Sequence, residues 1–172
     1  MNAVGLIILV TLVLGWALDL WAGFLNLRNV RGELPRGFED VYDPERYRRS
    51  QAYLKANTRL AWVSGTVHLA ILLAFWFGGG FARLDGWLRA FGWGTVPTGL
   101  AFVAVLTALR FLLGLPFSIY AVFVVEERFG FNRTGWKTFV ADRIKAGLLG
   151  AAIGGPLLAG IQIGRASCRE RG

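Results

Sequence analysis

The chain has 172 residues, a formal net charge of +8, 55% apolar and 17% charged residues, one cysteine and one histidine. A soluble domain of this length has no use for so much apolar content, and a lone cysteine excludes an internal disulfide framework. The positive charge sits between apolar blocks instead of along a soluble basic face, so anionic lipid accounts for it better than nucleic acid does.

The first apolar block, residues 3–25, is interrupted only by Asp19. It exceeds the ~7–15 residues of a signal-peptide core, lacks a basic leader and a clear small-residue cleavage site, and approximates the ~20 residues that cross a bilayer. A retained transmembrane helix is expected. The polar segment 26–59 follows, with eight Lys or Arg. Inside it Asp43-Pro44-Glu45 predicts a helix start: Asp43 caps, Pro44 takes the first helical position, and Glu45 faces the positive end of the dipole. Tyr47, Ser50, Tyr53, Leu54 and Asn57 then recur at helical spacing, so this loop helix should run directly into the second apolar block, 60–77.

Gly78-Gly79-Gly80 predicts a turn, and the amphipathic, Trp-rich stretch 81–93 suits the membrane interface. The third block, 96–125, contains Arg110 and Pro116. Straight, it would measure roughly 45 Å, so it must tilt, bend or protrude, and Pro116 removes a backbone donor where a kink is expected. Glu126, Glu127 and Arg128 then force the chain out of lipid. Adjacent helical residues point about 100° apart, so the two glutamates read as a solvated membrane-edge pair and not as a proton-sharing one. Phe129-Gly130-Phe131 predicts a turn, and Thr134 is expected to cap a helix over 135–145 that leads into the fourth block, 144–163. Asn132-Arg133-Thr134 matches a glycosylation sequon. Gly150 and Gly154 form a G-x-x-x-G pair that permits close helix approach. Composition changes abruptly at the end, so residues 1–163 are expected to form one membrane domain and 164–172 a non-native or truncated tail.

The fold class expected is all-α: a polytopic membrane protein with about four transmembrane helices plus a cytoplasmic loop helix. Segment 126–147 carries five Lys or Arg against two in 78–95. The positive-inside rule therefore makes 26–59 and 126–147 cytoplasmic and puts the N-terminus outside.

Asp19, His68 and Arg110 are ionisable residues within apolar spans, at comparable expected depth. Asp19 and Arg110 either form an ion pair, line a water-filled cavity together, or snorkel to the cytoplasmic interface. His68 lies one helical turn from Ser64 but has no third group to orient a nucleophile. Zinc takes three or four His, Cys, Asp or Glu ligands, and the chain has no H-E-x-x-H.

The segments LPRGFEDVYDPERYRRSQAYLKANT and LPFSIYAVFVVEERFGFN resemble those of the type I CAAX prenyl endopeptidases. The resemblance rests on Leu34, Pro35, Asp40, Asp43, Glu45, Ser50 and Tyr53 in the first, and on Leu115, Pro116, Phe117, Tyr120, Glu126, Glu127, Phe129, Gly130, Phe131 and Asn132 in the second. It implies seven membrane helices around a water-filled chamber beneath a zinc protease domain, with an H-E-x-x-H helix beyond the residues matched here. By that resemblance this chain is the N-terminal membrane domain: chamber wall and docking surface for a C-terminal metallopeptidase domain of the same parent chain, inert alone. Peptide substrate and zinc belong to the complete parent, and the signature residues are structural or docking residues with no catalytic or metal role. The alternative is a small non-enzymatic four-helix membrane protein, a scaffold or transport subunit.

Overall fold

The computed structural model describes the backbone of residues 2–30 and 43–170, and their side chains except those of 163 and 165–170. Leu34, Pro35 and Asp40 lie outside the described residues. Five α-helices follow one another: α1 (Ala3–Asn29), α2 (Pro44–Phe77), α3 (Gly80–Arg89), α4 (Thr95–Tyr120), which continues as a π-helical stretch over Ala121–Glu126, and α5 (Trp136–Glu170). No strand occurs among the described residues.

Helix starts follow capping chemistry. Asn2 Oδ1 accepts the Gly5 N–H at 2.9 Å to open α1. Asp43 Oδ1 accepts the Glu45 N–H at 2.9 Å, so Pro44 is the first residue of α2 as expected, and the helix continues through the second apolar block without a break. Gly79, at φ 72°, supplies the left-handed residue that lets the chain turn from α2 into α3. α5 begins at Trp136, with the Phe139 N–H on the Gly135 carbonyl at 3.0 Å, one residue later than the sequence predicts.

Four stretches are long and apolar enough to cross a membrane: Ala3–Asn29, Pro44–Phe77, Thr95–Glu126 and Trp136–Gln162. α3 has ten residues, about 15 Å at ~1.5 Å per residue, and is too short to span. Leu14, Leu18, Leu112, Leu148 and Ile153 are more than half exposed, while Leu88, Val125 and Phe139 are the buried large hydrophobics among the described residues. Water would penalise such a surface and lipid does not. The protein is an integral, multi-pass membrane protein.

The chain divides into two compact units. The first comprises residues 1–74 with 114–132, and holds α1, most of α2 and the last turns of α4 with its π-helical continuation. There α1 meets α2 closely at Gly23, where a Cβ would fall 2.5 Å from Trp62 Nε1 and 3.2 Å from Thr58 Cγ2. Trp16 Nε1 donates to Thr66 Oγ1 at 3.1 Å on the same seam. The second unit comprises residues 75–113 with 133–172. Phe75 and Phe81 meet edge to face at 4.9 Å, and only a glycine at position 80 fits beneath the Phe75 ring. Gly99 on α4 receives the Gln162 amide from α5. Gly150 and Gly154, by contrast, have no neighbour within 4 Å of their Cβ positions among the described residues.

Candidate functional site

The second signature segment is a built helix terminus. After Tyr120 the chain widens into π-helix for six residues, then ends on Gly130 at φ 73°. The Phe131 N–H bonds the Glu126 carbonyl at 2.9 Å and the Gly130 N–H bonds the Glu127 carbonyl at 3.0 Å. That reciprocal pair is the Schellman arrangement, which needs a left-handed residue at the Gly130 position. The Asn132 amide nitrogen donates to Glu127 Oε2 at 2.9 Å, and its backbone N–H adds a second bond to the Glu126 carbonyl at 3.2 Å. Glu126 thus acts through its carbonyl and Glu127 through its carboxylate.

Tyr53 of α2 closes the same corner. Its ring meets Phe131 at 4.9 Å and Phe129 at 5.7 Å, both edge to face, so the turn on either side of Gly130 is held by one aromatic residue from the first signature segment. Arg49, one turn before Tyr53, brings Nη1 to 4.0 Å from the Cβ position of Gly130 and pairs with Glu45 at 3.7 Å. Nothing in the sequence singles out Arg49, because its contact is long-range and the residue resembles any other loop cation. Asp43 caps α2, while Ser50 is exposed on its first turns. Pro116 lies inside α4 and Tyr120, half exposed, is the last α-helical residue before the π-helical stretch.

His68 also belongs to the first unit. Its Nδ1–H donates to the Ser64 carbonyl at 2.6 Å, which leaves the lone pair on Nε2. That atom faces Gly114 of α4 at 3.9 Å from its Cβ position, and the Phe117 ring lies 5.5 Å away. Ser64 Oγ instead bonds the Ala61 carbonyl at 3.2 Å, so serine and imidazole form no nucleophile pair. Asp19 lines a cleft between α1 and α2 with Trp16, Trp62, Gly23, Ala61 and Gly65. Arg110, exposed, lies in the second unit.

Zinc is the metal that the sequence resemblance implies. Among the described residues no three His, Cys, Asp or Glu side chains converge, so the donor set does not fit a zinc ion and no zinc-dependent step is derived from it.

Lipid-length helical spans, with signature residues that build a capped, aromatic-locked turn, define the membrane domain of a class of polytopic proteins. Residues 23–164 match the family model described as CAAX prenyl protease N-terminal, five membrane helices, and the chain belongs to that family. It is 33% identical to CAAX prenyl protease 1 of Saccharomyces cerevisiae over 73% of this chain and 30% of the relative, and 32% identical to the Homo sapiens homologue over 78% and 31%. The crystal structure of S. mikatae Ste24p matches at a TM-score of 0.80 and 29% identity, covering 92% of this chain and 38% of that one. The chain therefore spans about a third of the length of the curated relatives it matches.

Proposed function

We propose that this chain is the N-terminal membrane domain of a zinc-dependent CAAX prenyl endopeptidase-like protease, with residues 1–163 as the domain and 164–172 as tail. Its helices form wall of an intramembrane chamber, and its Tyr53–Phe129–Phe131 corner docks a C-terminal metallopeptidase domain on the cytoplasmic side. Zinc and the residues that polarise peptide-cleaving water belong to that other domain; the present segment supplies enclosure and docking and is inactive by itself.

The observation that carries this reading is the meeting of the two signature segments in one corner, Tyr53 packed on both rings that flank Gly130. Phe131 is 45% exposed at a turn held by Tyr53, and an aromatic residue already ordered in this way costs little side-chain entropy on binding. Positive charge in 26–59 and 126–147 supports the cytoplasmic placement.

Split-chain reconstitution tests it. Co-expressed with the part of the S. cerevisiae relative that follows the matched region, the chain should co-purify with it and restore cleavage of a prenylated CAAX peptide that neither piece cleaves alone. Absence of both association and cleavage would contradict the proposal.

A further inference from the structure

The cleft between α1 and α2 presents a carboxylate that pairs with no cation among the described residues of its unit. It measures about 280 Å3 and is lined by the indoles of Trp16 and Trp62, by Asp19, and by the small residues Gly23, Ala61 and Gly65. Such a volume holds roughly nine waters at ~30 Å3 each, or a polar headgroup of about as many heavy atoms. No described Lys, Arg or His of the first unit forms an ion pair with Asp19. Trp62 Nε1 is buried and has no acceptor.

Position and surroundings narrow the occupant to a lipid. Arg59 is the last cation of α2 before its apolar block begins at Leu60, and Thr58 and Trp62 both lie against Gly23. The charged edge of the membrane therefore passes near Gly23, and Asp19 sits one helical turn, about 6 Å, further in. That is where an amphiphile's headgroup meets its acyl chains. Leu18 and Val63, next in sequence to the lining residues Asp19 and Trp62, are 66% and 56% exposed and offer acyl chains apolar surface. A molecule entering sideways between the helices meets a hydrogen-bond-accepting carboxylate and two aromatic walls, which together favour an ammonium and repel an anion.

We propose that this cleft binds the ammonium headgroup of a zwitterionic phospholipid, Asp19 accepting its N–H hydrogen bonds between the Trp16 and Trp62 indoles. The site lies wholly within α1 and α2 and does not rest on the docking role proposed above.

Native mass spectrometry of the full chain in detergent, with phosphatidylethanolamine or phosphatidylglycerol of matched acyl chains added, tests it. The unchanged chain should retain phosphatidylethanolamine about tenfold more tightly, the scale of one desolvated cation–π or charge-assisted contact. Asp19→Asn should erase that preference and Asp19→Glu should keep it. Ala61→Leu, which fills the cleft and leaves the carboxylate in place, should erase it too; circular dichroism shows whether each variant keeps its helices, and Ala61→Leu decides the matter if Asp19→Asn does not fold. Equal retention of the two lipids by the unchanged chain, or a preference that survives Asp19→Asn or Ala61→Leu in a folded variant, overturns the proposal.

Discussion

Gly130 is where a single side chain decides most. Its φ of 73° lies in the left-handed region, yet the nearest atom to an added Cβ is Arg49 Nη1 at 4.0 Å, an ordinary contact. The cost of Gly130→Ala is therefore backbone strain and not collision, about 1–2 kcal/mol. Thermal unfolding in detergent should show a lowered Tm with unchanged helical content. Tyr53 makes a different kind of contribution. Tyr53→Phe keeps both edge-to-face pairs and should leave Tm unchanged, whereas Tyr53→Ala removes two pairs worth about 0.5–1.5 kcal/mol each beyond their burial. A Tyr53→Phe effect as large as that of Tyr53→Ala would show that the hydroxyl, and not the ring, holds the corner. The glycine itself was legible as a turn in F-G-F-N. Its aromatic partner was not, because nothing in a single sequence places residue 53 beside residue 131.

Among the elements, α4 joins a proline to a π-helical stretch. Pro116 cannot donate to the carbonyl four residues before it, and the helix widens five residues further on, over Ala121–Glu126. The sequence predicts a kink from Pro116. The π-helical hydrogen-bond pattern lacks any such sign, since it depends on where the following turn is anchored. Pro116→Ala restores a donor inside α4 and should raise Tm while impairing function in the split-chain assay. A fall in Tm would show that the proline ring packs favourably where it stands.

The amphipathic stretch 81–93 suits the membrane interface, and the structure confines the helix itself to Gly80–Arg89. Trp87, Phe91 and Trp93 remain at least half exposed; Trp87 meets Phe91 edge to face at 5.3 Å and Phe91 stacks on Trp93 at 5.1 Å. The Asp85 carboxylate accepts a hydrogen bond from Arg89 Nε at 2.7 Å, and that bond, then the carboxylate's charge, raises the guanidinium above its ordinary pKa. A raised folded-state value contributes stability below the unfolded pKa and loses it only as pH climbs through the folded one, far above neutrality. The pair is solvent-exposed, so Arg89→Ala should leave Tm unchanged at high salt and show no pH dependence between neutral and mildly alkaline conditions. A Tm drop that persists in high salt would mean that Arg89 packs and does not merely pair.

For the molecule as a whole, the four spans were readable because lipid selects by length and apolarity, two properties visible in any window of sequence. The contacts between spans were not readable. Gly23 is one of many glycines in the chain, and only the indole against it reveals that α1 and α2 close there and leave a cleft beside Asp19. The Asp19–Arg110 pairing that the sequence suggests is a proposal. Double-mutant cycles measure it, with Asp19→Ala and Arg110→Ala expected to be non-additive by more than about 0.5 kcal/mol if they pair and additive if they do not.

We propose that the corner built by Tyr53, Phe129, Gly130 and Phe131 faces the cytoplasm, where a protease domain can dock on it. Sided thiol labelling reads this directly. In a Cys168→Ser background, Arg133→Cys should react with a membrane-impermeant maleimide only when the cytoplasmic face is open, and Arg83→Cys only from the opposite face. Labelling of Arg133→Cys from outside sealed cells would put the corner on the wrong side of the membrane and contradict the account.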